Sequence, residues 1–125
     1  MAKILVIDDD PQINLLLKEF LSNNGCEVEV AKNGLEAQKL YCKTSYDVII
    51  TDIIMPEQDG FEVILNLRHL GYSKKTIAIS GGGRTSAEDY LTTASHFDVA
   101  ATFSKPIDLP ALLAKVKEIA EGGQS

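Results

Sequence analysis

A chain of 125 residues, 45% hydrophobic and 24% charged, has the balance of one globular domain that can bury a core without disulfide or metal staples. Its formal net charge of −6 argues against direct nucleic-acid binding through a basic face. No apolar run is long enough to cross a membrane, so a membrane-spanning role is excluded as well.

The chain enters a strand-like run at Lys3, without the layout of a signal peptide. Cys26 and Cys42 have no second pair and no histidine at metal spacing, and they read as reduced, packed thiols of a cytoplasmic protein. Lys3-Ile4-Leu5-Val6-Ile7 is a continuous apolar run, the pattern of a strand buried on both faces, and it ends on Asp8-Asp9-Asp10-Pro11. Asp10 is placed to cap a helix with Pro11 in its first position. Ile13, Leu16, Leu17, Phe20 and Leu21 recur at helical spacing, which predicts one apolar face, and Asn23-Asn24-Gly25 supplies the stop. In Cys26-Glu27-Val28-Glu29-Val30 strict alternation replaces the continuous run, so one face is wet and the strand belongs at a sheet edge.

Asn33-Gly34 opens a second helix with Leu35, Leu40 and Tyr41 expected inward. Val48-Ile49-Ile50-Thr51-Asp52 is again a buried-strand run, and it stops on a carboxylate. The loop through Met55-Pro56 leads to Asp59-Gly60, where Asp59 and Glu62 form a capping-box variant for a helix expected to bury Phe61, Ile64 and Leu65. Thr76-Ile77-Ala78-Ile79-Ser80 is the fourth strand, ending on a hydroxyl and followed by Gly81-Gly82-Gly83-Arg84. Thr85 and Glu88 cap a sparsely apolar helix to about His96; His69 and His96 read as structural or surface residues. A fifth strand is expected from Asp98 to Phe103, closing on Ser104-Lys105-Pro106. The last helix presents Leu109, Leu112, Leu113, Val116 and Ala120, before a polar tail from 122 to 125. Five strands alternating with five helices predict a doubly wound α/β fold with a parallel sheet in the order 2-1-3-4-5, a single domain over residues 1–121.

In such a sheet the C-terminal ends of the strands share one edge. That edge would gather Asp8 and Asp9, Asp52, Ser80 and Lys105 from four strands. Carboxylates about 5 Å apart repel by roughly 3 kcal/mol at an effective dielectric of 20, so the cluster calls for raised pKa values or bound cations. Hard oxygen ligands select Mg²⁺ (or Mn²⁺), and one divalent ion with one ammonium balances the three carboxylates of Asp8, Asp9 and Asp52. The rest of the set suits an incoming phosphoryl group: the ion and Lys105 neutralise its oxygens, Ser80 donates a hydrogen bond, and Asp52 is the nucleophile.

Taken together, Asp8-Asp9, the strand–Asp52–Met55-Pro56–Asp59-Gly60 pattern, Ser80 and Lys105-Pro106 make the chain resemble a response-regulator receiver domain of two-component signalling, a member of the CheY-like superfamily, from Lys3 to about Ala120. The resemblance implies phospho-acceptor Asp52, catalytic partners Ser80 and Lys105, and a metal site of Asp8, Asp9, Asp52 and Ile54. It also implies a cis Lys105–Pro106 peptide, a sensor histidine kinase or phosphotransfer protein as donor, and an output partner on the face of the helix after Arg84, the fifth strand and the last helix. Two positions depart from the family. Its switch aromatic is here Thr102, with Phe103 one residue on and expected to face the other way. Ile54 is an apolar choice near the site, where polar residues are common. With no aromatic rotor, movement of the segment from Ser80 to His96 is expected to carry the signal.

Two other functions use related parts. A haloacid-dehalogenase-type phosphatase resembles this set but carries its nucleophile and a second Asp two apart on the first strand, and position 54 here is Ile54. A flavodoxin-like FMN carrier needs a Ser/Thr-rich phosphate loop after the first strand, where Asp8-Asp9-Asp10 would repel the phosphate.

Overall fold

The computed structural model describes residues 2–52, 60–80 and 99–122, with the side chains of Phe61, Glu62, Ile64 and Ser80 outside that description. Strands β1 (Lys3–Ile7), β2 (Glu27–Ala31), β3 (Val48–Asp52), β4 (Thr76–Ser80) and β5 (Ala101–Ser104) form one sheet in the order β2-β1-β3-β4-β5. Every pairing is parallel, and the order is the one expected. Four α-helices lie among the described residues: α1 (Pro11–Asn23), α2 (Gly34–Tyr41), α3 (Gly60–His69) and α4 (Leu109–Gly122). A further short 3-10 turn covers Ser73–Lys75. The helix expected from Thr85 to about His96, the Asp59 cap, Arg84 and the glycine run lie outside the described residues.

The continuous apolar runs divide by strand alternation into two cores, one on each face of the sheet. Ile4, Val6, Val28, Val48, Ile50, Ile77 and Ile79 pack beneath Leu17 and Leu21 of α1 and Leu112 and Val116 of α4. Leu5, Ile7 and Ile49 pack on the other face with Ala37 and Tyr41 of α2, Val63 and Leu67 of α3, and Tyr46. Leu109, Leu113 and Ala120 join the first core half-buried, as the helical spacing predicts.

Three helical faces differ from expectation. Leu16, Leu35 and Leu65 are 44%, 61% and 38% exposed. In α1 the buried line runs through Asn14, Leu17 and Leu21, which rotates Leu16 to the margin. In α2 it runs through Gly34, Ala37 and Tyr41, the first two small, and leaves Leu35 about a third of a turn away. Val63 and Leu67 take the buried line of α3, and Leu65 lies on nearly the opposite side. β5 starts at Ala101, with Val99 and Ala100 before it, rather than at Asp98. It is an edge strand with half-buried Ala101 and Phe103 alternating with exposed Thr102 and Ser104.

The helix ends are set by local chemistry. Asp10 caps α1 by accepting from the Gln12 N–H at 2.9 Å, with Pro11 following it. Gly25, at φ +89°, ends that helix: its N–H bonds the Ser22 carbonyl and the Cys26 N–H bonds that of Leu21, a Schellman motif. Gly71, at φ +85°, ends α3 in the same way through the carbonyls of Arg68 and Leu67, a stop with no counterpart in the sequence reading. Asp108 caps α4 by accepting from the Ala111 N–H at 3.1 Å, and α4 reaches Gly122, one residue past the expected domain limit.

Candidate functional site

Strand register builds the site. Ile7 stands beside Thr51 in the β1–β3 pairing, so the residues that follow, Asp8 and Asp52, leave neighbouring strands at the same edge. Asp52 in turn stands beside Ile79 of β4, which places Ser80 one step beyond it, next to Ser104 of β5. Lys105 follows directly, and its peptide bond to Pro106 is cis, as the resemblance implies.

One carboxylate oxygen each from Asp8, Asp9 and Asp52 lie within 4.8 Å of one another. Asp8 and Asp52 are 2% and 4% exposed, whereas Asp9 faces solvent. Lys105 reaches into this cluster, its Nζ 3.2 Å from Asp8 Oδ2 and 3.3 Å from Asp52 Oδ2, where it donates a hydrogen bond. At the observed spacing each pair of ionised carboxylates repels by roughly 3 kcal/mol at an effective dielectric of 20. The ammonium offsets part of this and leaves a formal charge of −2 among these four described side chains.

The strain shows in the protonation equilibria. Burial pushes the Asp8 carboxyl up to about 6; the hydrogen bond from the Asp10 N–H opposes this, the Asp52 charge adds to it, and Lys105 pulls it back. Burial acts to lower the Lys105 ammonium, but the charges of Asp52 and Asp8 and their hydrogen bonds outweigh it, so the group is held above the ordinary lysine value. A divalent cation is the counter-charge this donor set lacks, and three hard carboxylate oxygens suit Mg²⁺ or Mn²⁺.

Asp8 is tied down at every polar group. Its N–H donates to the Ala31 carbonyl at 3.1 Å, and its Oδ1 accepts from the Asp10 N–H at 2.9 Å. Its Oδ2 meets Lys105, and its carbonyl accepts from Asn14 Nδ2 at 2.8 Å. Thr51, buried beside Asp52, donates its hydroxyl to the Asp52 carbonyl at 3.1 Å.

Of the residues expected at the site, the structure thus brings together Asp8, Asp9, Asp52 and Lys105. Ser80 is placed by its backbone register alone, and Ile54 lies outside the described residues. Asn14 is the residue that sequence reasoning missed. A polar residue inside the apolar stripe of a helix, a short way past an acidic pair, was the available signal.

Residues 4–117 match the family described as response regulator receiver domain. A response regulator receiver protein of Anaeromyxobacter sp. (strain Fw109-5) is 33% identical over 113 residues, which cover 90% of this chain and 46% of that protein. Response regulator MprA of Mycobacterium sp. (strain KMS) is 32% identical, over 94% of this chain and 50% of its own length. The chain therefore spans about half the length of these relatives. Among solved structures, a response regulator receiver domain protein from Clostridium thermocellum superposes with a TM-score of 0.89 at 26% identity, covering 99% of this chain and 98% of that one. The response regulator TrrA from Thermotoga maritima, solved in complex with Mg²⁺-BeF, gives a TM-score of 0.82 at 35% identity, covering 95% and 99%.

Proposed function

Since the chain belongs to the response regulator receiver domain family, we propose that it works as a phosphoryl-accepting switch in a two-component or phosphorelay system, with Asp52 as acceptor. The observation that carries this is the gathering of the Asp8, Asp9 and Asp52 carboxylates at the C-terminal edge of the sheet, with the Lys105 ammonium between Asp8 and Asp52. Asp52 is itself the last residue of β3, in reach of Lys105 and, on the adjoining strand β4, one register step from Ser80.

Asp8, Asp9 and Asp52, with Ile54, would hold a metal ion, Mg²⁺ or Mn²⁺. When bound, the ion neutralises the carboxylates and the incoming phosphoryl oxygens. A carboxylate oxygen of Asp52 forms the new bond to phosphorus as the bond from phosphorus to the donor's imidazole nitrogen breaks, and the electron pair leaves with the imidazole. Lys105, fixed between Asp8 and Asp52, turns its ammonium to the transferred oxygens, and the Ser80 hydroxyl donates to them. Apart from forming and hydrolysing its own aspartyl phosphate, the domain carries out no catalysis.

The donor is a sensor histidine kinase or a phosphotransfer protein, and the setting is cytoplasmic. The output partner binds the face made by β5, α4 and the segment after Arg84. Thr102 is exposed and small, and Phe103 is half-buried against the core, which supports a switch without an aromatic rotor at position 102. The receiver unit is assigned to residues 1–121, with 122–125 as a polar tail.

Incubation with a small-molecule phosphodonor and Mg²⁺, followed by intact mass measurement, tests the assignment. The mass should rise by one phosphoryl group, and only when the metal is present. An unchanged mass under saturating donor and metal would refute it.

A further inference from the structure

Asp9 reaches the cluster from an exposed position, and among the described residues its side chain makes no hydrogen bond or ion pair. Its place is therefore set by its backbone, and above all by the peptide that joins it to Asp8. One end of that peptide is the Asp8 carbonyl, which Asn14 Nδ2 holds at 2.8 Å from the first turns of α1. The same Nδ2 lies 3.4 Å from the Ala31 carbonyl at the end of β2, so one carboxamide joins β1, β2 and α1 beneath the acidic loop.

The arrangement is unfavourable for Asn14 itself. It is only 7% exposed, and its Oδ1 is buried with no hydrogen-bond partner among the described residues. An orphaned buried acceptor is destabilising, and an apolar residue would continue the stripe of Leu17 and Leu21 without it. The chain keeps a polar group with an unpaired acceptor at the point where its amide donates to the peptide joining Asp8 and Asp9.

We infer that Asn14 is a positioning residue for the metal site: by fixing the Asp8–Asp9 peptide it aims the Asp9 carboxylate at the ion held with Asp8 and Asp52. The inference rests on the metal reading given under Proposed function. Asn14 touches neither ion nor phosphoryl group; it acts through the loop, as outer hydrogen-bond partners of metal ligands do.

The test compares wild type with Asn14→Leu, which keeps the number and branching of side-chain heavy atoms, and with Asn14→Ala. Mg²⁺ affinity is read by calorimetry, apo melting by circular dichroism, and the Asp9 and Asp10 amides by ¹⁵N-resolved NMR without metal. Asn14→Leu should weaken Mg²⁺ binding about tenfold or more, while the apo melting temperature stays within about 5 °C because the orphaned oxygen is removed with the donor. The Asp9 and Asp10 amide signals should move or broaden even in the apo protein. Unchanged Mg²⁺ affinity with unmoved Asp9 and Asp10 signals in both variants would overturn the inference. So would an affinity loss matched by general unfolding with those signals unmoved in the folded fraction. If the wild type bound no Mg²⁺, the metal reading would fail, and the inference for a metal site would fall with it even if the loop signals moved.

Discussion

β1 carries a lysine–carboxylate network at each of its ends, and the two behave oppositely. At its start Lys3 Nζ lies 3.4 Å from Glu27 and 3.7 Å from Glu29 of the neighbouring strand, and 5.6 Å from the centre of the Tyr46 ring. Those glutamates are 59% and 41% exposed, and Glu29 also accepts from the buried Tyr46 hydroxyl at 2.9 Å. At its end Lys105 lies between Asp8 and Asp52 at nearly the same distances, but those side chains are 2% and 5% exposed. Water screens the first network and leaves it a surface latch. Exclusion of water from the second sets two buried carboxylates, with Asp9 beside them, against one ammonium among the described residues. One residue type at one separation gives a structural contact or a chemical site, and the number and burial of the carboxylates decide which.

Exchange of the two lysines probes that contrast most strongly. Lys105→Ala leaves buried carboxylates without their cation and is expected to cost about 3 kcal/mol of apo stability, at the lower end for a broken buried pair because the ammonium is partly hydrated. Lys3→Ala should cost less than about 1 kcal/mol. Urea denaturation of both variants checks this, and equal losses would remove the distinction between the two ends. In a reconstituted relay Lys105→Ala should also fail to transmit signal.

Acid should relieve the buried end. The Asp8 carboxyl is raised in the fold from an ordinary 3.8 to about 6, so between these values the folded state binds more protons than the unfolded one. Stability from this group is full below about pH 4 and is lost as pH rises through 6, by at most about 3 kcal/mol. Apo melting temperature should therefore rise as pH falls from 7 to 5, and Asp8→Asn should remove that slope. A flat profile in the wild type would contradict the burial argument.

Metal should do at neutral pH what acid does below 6. Mg²⁺ at about a hundred times its dissociation constant adds about 2.7 kcal/mol by mass action. The gain should survive Lys3→Ala and shrink in Asp9→Asn. A melting temperature unmoved by millimolar Mg²⁺ would argue against the site.

Much of this was legible in the sequence because the strands are all parallel. Continuous runs such as Lys3–Ile7 and Val48–Asp52 announce burial on both faces, and the parallel order brings their last residues to one edge. Asp8, Asp9, Asp52 and Lys105 could be grouped on that rule alone. The helices were less readable, since apolar size misjudged which side faces the sheet: Ala37 and Gly34 lie on the buried line of α2 while Leu35 stays outside. Asn14 escaped for a related reason. Periodicity weights apolar residues, and a buried amide whose Nδ2 donates to two strand-end carbonyls is a tertiary event that local pattern does not encode.

The central claim is that Asp52, among three clustered carboxylates, takes the phosphoryl group. Reductive trapping with borohydride after exposure to a small phosphodonor and Mg²⁺ converts an aspartyl phosphate to homoserine, and peptide mapping then finds the position. Homoserine at position 52, absent in Asp52→Asn and without metal, is the predicted result. Homoserine at position 8 or 9 instead, or label persisting in Asp52→Asn at wild-type level, would contradict it.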